Sequence, residues 1–491
     1  MNLPSQLEEL QEEIRGHAAD YGLDFFKVVF EILDYQQLNE VAAYEGFPTR
    51  YPHWRFGMAF EQLAKGYAYG LQKIYELVIN NDPCYAYLLR ANNLVDQKLV
   101  MSHVYGHSDF FKNNYWFSET NRKMMDTIAN HGTRVQNYVD RHGQEVVERF
   151  LDSCLSLEHL IDQHSPFIAR EEKHPADEDS DIPAPPAKFR SKEYMDRYVN
   201  PPEILAQQQE REQEREKKKM LPETPERDVL HFLLEHAPLE KWQRDILDMV
   251  RDEAYYFAPQ AMTKIMNEGW ATYWHSVIMT EKMVTDSEIL DYADHHSGTL
   301  GVRPGVLNPY KIGLELFRHI EDRWNKGRFG KEYDECTDIA QKRIWNRDLN
   351  QGREKIMQVR KIYNDVTFID EFFTEEFCEE QNLFTYSFDR NSGQYVITDR
   401  DFKKVKEKLL FQIANQGLPY IFVENGNYEN RGELYLSHRH EGMDLRIDHA
   451  KDTLANIQKV WSRPVHLETI VQGRRRVLTH DGEKHSERLI A

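Results

Sequence analysis

Apolar positions along most of this chain recur at helical spacing. In residues 7–34, Leu7, Leu10, Ile14, Phe25, Val29 and Ile32 fall at multiples close to three or four, which predicts a helix. Residues 56–80 repeat the pattern through Met58, Phe60, Leu63, Tyr67, Leu71, Ile74 and Leu77, and Asp82-Pro83 ends it. The short aromatic run CYAYLLRANN (84–93) reads as a strand, and 94–114 returns to helical period. Further helices are expected at 119–142 and 144–163. The periodicity then disappears. EEKHPADEDSDIPAPPAKFR is acidic and proline-rich, and QQQEREQEREKKK is almost wholly polar. Such sequence buries too little apolar surface to offset the entropy of ordering it, so 166–227 reads as a charged, mobile insertion. Helical spacing resumes at Asp228 and carries through blocks at 308–325 and 335–350.

Beyond about residue 380 the rhythm shortens to strand length. FTYSF and QYVIT flank RNSG, a hairpin signal. A helix follows in DFKKVKEKLLFQIANQG, then strands LPYIFVEN and GELYLSHR, a second helix IDHAKDTLANIQKVW, and a closing hairpin of VHLETIVQ and RRRVLTHDG. The expected organisation is four segments: a first helical segment (1–165), the insertion (166–227), a second helical segment (228–380), and a small α+β domain (381–491) with two helices over an antiparallel sheet.

Composition narrows the classes. The 491 residues carry 62 Lys+Arg against 82 Asp+Glu, a net charge of −20, which argues against a general nucleic-acid binder. No apolar run approaches the ~18 residues of a membrane span, and the acidic start is unlike a secretory signal. The four cysteines, Cys84, Cys154, Cys336 and Cys378, form no CxxC pair. A reducing, cytoplasmic setting fits them better than a disulfide framework or a thiolate metal site.

The 21 histidines raise the question of convergence. His103-Val-Tyr-Gly-His107 places two imidazoles four apart, on one helical face. This is the spacing of the paired zinc ligands in HExxH, except that Val104 stands where that motif has its general-base glutamate. MNEGWATYWH (266–275) puts Glu268 and His275 seven apart, also on one face. Glu268-Gly-Trp-Ala271 resembles the helix from which gluzincin metallopeptidases draw their third, carboxylate ligand. His103, His107 and Glu268 would then hold a divalent metal, zinc by its nitrogen and oxygen donors, with water in a fourth position. The core formed by the two helical segments is accordingly expected to be zincin-like, with 84–93 as the edge strand along its cleft. In the absence of the usual glutamate, His275, His131 or a tyrosine such as Tyr255 or Tyr273 would have to move the proton.

The blocks YPHWRFGMAFE (51–61), INNDPCYAYLL (79–89), QKLVMSHVYGHSDFFKNN (97–114), RDEAYYFAPQAMTKIMNEGWATYWHS (251–276), NPYKIG (308–313) and YNDVTFIDEFFTEEF (363–377) resemble the stage V sporulation protein R (SpoVR-like) family. The resemblance implies a cytoplasmic bacterial protein linked to spore cortex formation in spore formers and to stress and starvation elsewhere. It also implies company: a PrkA-type serine kinase and a YhbH/YeaH-type protein. Two functions follow as expectations, a metal-dependent hydrolase of peptide or cell-wall-type amides and a non-enzymatic adaptor acting with those partners.

Overall fold

The computed structural model describes residues 3–68, 75–168, 221–302, 306–389 and 393–490. The chain divides into two compact units, Met1–Glu148 with Tyr255–Leu418, and Arg149–Ala254 with Pro419–Ala491. Of the insertion expected at 166–227, residues 169–220 lie outside the described residues. Among the described residues no helix is long and apolar enough to cross a membrane.

The first unit is mainly helical around a small sheet. Its first helix, Ser5–Asp20, buries Leu10, Ile14 and Ala18, a stripe at four-residue spacing. The helix expected over 7–34 ends there. Gly22 sits at φ +88°, a left-handed conformation that glycine adopts without Cβ strain, and the chain re-enters as strand β1, Val28–Leu33, alternately buried and half-buried. The second long helix is likewise shorter than expected, Trp54–Ala68, and residues 76–79 form strand β2, Glu76–Ile79. Strand β3 is Cys84–Leu89. The sheet order is β1-β3-β2, with β3 parallel to β1 and antiparallel to β2. The 84–93 run is therefore an inner strand and not an edge. Both its backbone edges are paired, and five of its six residues are buried, as suits an apolar run with no polar alternation.

Two helices fill the middle of this unit. Leu94–Asn113 is capped by the Asn93 side chain, which accepts from the Asp96 N–H, and is buried continuously from Val95 to Phe111. Lys264–Ile278 is almost as enclosed. Its first-turn amides at Ile265 and Met266 donate to the Asp365 carboxylate at 2.8 and 2.9 Å, satisfying helix-end donors that its own sequence leaves open. Helix Pro309–Lys326 packs against it as well. The helix expected at 335–350 is reduced to Lys331–Asp334 and Ile339–Arg343. Beyond them, Asp348 and Asn350 take positive φ, and Arg328 donates to the carbonyls of Arg343 and Trp345, fixing an irregular path. Strands β4, Thr385–Asp389, and β5, Gln394–Asp399, pair as the expected hairpin, a two-stranded sheet of its own in this unit.

The second unit carries the strand-rich tail. Strands β6, Tyr420–Tyr428, β7, Glu433–Arg439, β8, Val465–Val471, β9, Arg474–His480, and β10, His485–Leu489, form a five-stranded sheet in the order β10-β9-β8-β7-β6. All pairs are antiparallel except β7 with β8. That parallel pair needs a crossover, and helix Ile447–Trp461 supplies it, packing on β8 and β9.

Candidate metal centre

His103 and His107 stand one helical turn apart on the Leu94–Asn113 helix, and both are buried. Glu268 comes from the neighbouring Lys264–Ile278 helix. The two helices approach closely because their contact is made of small residues. A Cβ on Gly106 would lie 2.7 Å from the Ala271 Cα. The result is convergence: the Nε2 atoms of His103 and His107 lie 3.6 and 3.5 Å from the same Glu268 oxygen, Oε2. These gaps exceed an ordinary hydrogen bond. They are close to the ~3.4 Å edge of a tetrahedron whose donors each sit about 2.0–2.1 Å from a zinc ion. Glu268 Oε2 is buried and has no hydrogen-bond partner, a condition native interiors rarely tolerate without an ion or water. The three residues are the one group of described His, Cys, Asp and Glu side chains whose ligand atoms gather this tightly, all within 4.8 Å.

The surroundings prepare these donors. His107 Nδ1–H donates to Asn267 Oδ1 at 2.8 Å, leaving its Nε2 lone pair directed at Glu268. His103 Nδ1 lies 3.0 Å from His275 Nδ1, and His275 Nε2 lies 3.1 Å from His296 Nδ1. An ion at the cluster would take the His103 Nε2 lone pair, and the chain would then run in one direction, His103 donating to His275 and His275 to His296. Such partners on the far nitrogen orient a metal-binding imidazole. Burial, helped by the nearby His103, holds His107 down to about 4, so it is neutral at pH 7. Burial opposes ionisation of Glu268, but the His103 and His107 imidazoles outweigh it and keep its carboxyl below the usual range. The cluster thus offers two imidazoles and one carboxylate.

Of the residues named from sequence, the structure brings together His103, His107, Glu268 and His275. His275 sits behind His103, on its Nδ1 side. Tyr273 points elsewhere: its hydroxyl donates to Glu321 at 2.6 Å. Tyr255 is half-buried on the Lys241–Met262 helix. Val104 is fully buried in the core. Several neighbours had no local signal. Tyr310, within NPYKIG, stacks on the His103 ring at 6.2 Å between centroids and helps hold the Glu268 carboxyl down. Glu76 on β2 carries a carboxyl raised above its ordinary value by burial, and it feels the charges of His103, Glu268 and His295. Asn267 is adjacent to Glu268 in sequence, and only the register of two helices reveals it as the partner of His107.

A model of the family described as SpoVR like protein matches residues 2–418. A second, the SpoVR-like C-terminal domain, matches 419–472. YcgB of Escherichia coli (strain K12), itself uncharacterized, is 29% identical over 487 residues, covering 93% of this chain and 90% of that protein. No solved structure matches the chain. With family models spanning residues 2 to 472 almost without interruption, the chain belongs to the SpoVR-like family.

Proposed function

We propose that this SpoVR-like protein is a cytoplasmic, zincin-like metalloprotein in which His103, His107 and Glu268 hold one divalent ion, zinc, and leave a position for water. The observation that carries the reading is the buried, unpartnered Glu268 Oε2 flanked by two imidazole nitrogens at 3.5 and 3.6 Å. An ion held this way lowers the pKa of bound water to about 7 and polarises a carbonyl. The reaction class that fits is hydrolysis of a peptide or cell-wall-type amide, in keeping with a role in spore cortex formation or stress physiology.

The proton that Val104 cannot accept needs another carrier. His275 is engaged behind His103, and Tyr273 is engaged with Glu321. Glu76, a carboxyl raised by burial and electrostatically coupled to the cluster, is the group on this side best suited to exchange it.

Metal analysis of the purified chain tests the reading. The expected result is about one zinc per chain, falling to near zero in His103→Ala and Glu268→Gln. Absence of zinc, iron and manganese from the wild type, with no change in His103→Ala, overturns it. Glu76→Gln should keep the metal and lose amide hydrolysis.

A second reading is favoured by the buried Val104, which leaves the histidine helix without its own base. Here the metal stabilises a non-enzymatic adaptor working with a PrkA-type serine kinase and a YhbH/YeaH-type protein. Co-purification of both partners from starved cells, with no hydrolysis by the metal-loaded chain, would select this reading over the first.

A further inference from the structure

The second unit carries a cavity of its own on the five-stranded sheet. Leu434, Leu436, Val465 and Leu467 are buried, and helix Ile447–Trp461 packs against β8 and β9. Tyr435, Ser437 and Glu468 alternate with those apolar residues, so they stand on the opposite face. A cavity of about 570 Å³ is lined there by Glu424, Tyr428, Tyr435, Ser437, Glu468 and Arg475, a size within the ~300–1,000 Å³ of ligand sites. It lies where the parallel pairing of β7 with β8 stops, at Ser437 and Glu468, although β7 runs on to Arg439 and β8 to Val471.

The charges around this cavity do not balance. Glu433, Glu468 and Glu487 of the sheet each pair with an arginine, Arg431, Arg475 and Arg476 in turn. Glu468 also accepts from the Tyr435 hydroxyl at 2.7 Å. Burial opposes its ionisation, but the Tyr435 hydroxyl and Arg475 outweigh it and keep the carboxyl below the usual range. Glu424 has no such counterion. Its Oε1 accepts from the Ser437 hydroxyl at 2.5 Å, and among the described residues no cation pairs with it. Its Oε2 has no partner there either, and it is open to solvent and not sealed in the interior. His438, half-buried at the cavity, is pushed down by burial and so is neutral at pH 7. Two carboxylates and one guanidinium leave the cavity one negative charge over.

The walls say which cation fits. Tyr428 stacks on the Tyr435 ring at 4.5 Å between centroids and 24° between planes, which covers one face of Tyr435 and leaves the other for a ligand. A ring face beside a half-buried carboxylate suits a flat cation, which can stack on the one and donate two N–H bonds to the other. We infer that this cavity binds a guanidinium group, stacked on the Tyr435 ring and paired with Glu424, carried by a free arginine-like molecule or by an arginine of a peptide. The proposed metal ligands belong to the other unit, so this inference is independent of the metal reading.

Isothermal titration of the full chain decides it, at constant ionic strength set with sodium chloride. L-arginine, the blocked peptide acetyl-Gly-Arg-Gly-amide and L-citrulline are titrated separately. Saturable binding of one or both arginine probes is expected, and the tighter of the two identifies the source of the group. Citrulline has nearly the same shape without the charge, and it should bind roughly tenfold or more weakly than arginine. Glu424→Gln should weaken arginine binding by a similar factor, and Tyr435→Leu by about threefold to tenfold through loss of the stacked ring. Glu483→Gln, an exposed carboxylate outside the cavity wall, should leave it unchanged. The citrulline comparison uses the wild-type chain alone, so it stands even if a variant fails to fold. No saturable binding of either arginine probe overturns the inference, as does citrulline binding as tightly as arginine, or Glu424→Gln binding arginine like the wild type.

Discussion

Asp109 shows what a single residue does for the whole centre. It is fully buried two residues beyond His107, and it accepts from the Asp24 amide, the Trp270 indole and the Arg360 guanidinium at 2.7, 2.8 and 2.7 Å. Trp270 follows Glu268 by two, so this one carboxylate ties the histidine helix to the glutamate helix. Asp109→Asn should cost about 3–5 kcal/mol, because it leaves the Arg360 charge buried without its counterion. Urea denaturation measures this, and a loss below about 1 kcal/mol would show the pair to be dispensable. His319 gives the pH counterpart. Burial holds it down to about 4, whereas an unfolded histidine titrates near ~6.5. Between those values the unfolded chain binds the extra proton, so stability is fully present above about pH 6.5 and lost as pH falls toward about 4. Urea melts at pH 7 and 5 should show a smaller acid loss in His319→Gln than in the wild type. At this scale the sequence was readable only where spacing is local. His103, His107 and Glu268 lie in short helical motifs. Glu76, Tyr310 and His296 reach the same neighbourhood from positions that no periodicity connects.

The centre exists because helices approach more closely than ordinary side chains allow. A Cβ on Gly269 would fall 2.4 Å from both the Cα and the carbonyl carbon of Gly313, and one on Gly313 would fall 2.1 Å from the Ile265 oxygen. These neighbours are backbone, so no rotamer change relieves the clash. Gly269→Ala should therefore destabilise by about 1–3 kcal/mol or more and, on the metal reading, weaken metal retention, since Glu268 is the adjacent residue. Paired urea melts and metal analyses check both. Retention of full stability would mean that the helices move apart at little cost. The EGWA run suggested close packing, but it could not identify Gly313 as the residue opposite. Local period also misjudged elements where two periodicities coincide. Val29 and Ile32 fit a helical stripe from Leu7 equally well as they fit an alternating strand, and Gly22 at positive φ decides between them. The 84–93 run was legible as a strand, but not its inner position, because pairing on both edges depends on residues 28–33 and 76–79.

At the scale of the molecule, the boundary suggested by sequence and the boundary of folding differ. The family models meet between residues 418 and 419, and the change of rhythm in the sequence falls near 380. The second compact unit, however, combines Pro419–Ala491 with Arg149–Ala254. Within it Glu226 bridges to Val423 on β6, Phe232 packs on Trp461 at 5.7 Å between ring centroids, and Gly426 leaves room for the Phe232 ring. Val229, Leu230, Phe232 and Leu233 of helix Val229–His236 are all fully buried. A chain ending at residue 418 would keep those four residues and lose the sheet they pack against. Exposing them forfeits about 1.5–3 kcal/mol for each large side chain, far more than an eight-residue helix supplies on its own. Limited proteolysis of the truncated chain should therefore cut within 221–240, where the full-length chain resists. The proposed metal ligands, His103, His107 and Glu268, lie in the other unit, so the truncated chain should still bind metal if that proposal is correct. Equal resistance of the two chains within 221–240 would show instead that this helix is held by contacts outside the five-stranded sheet.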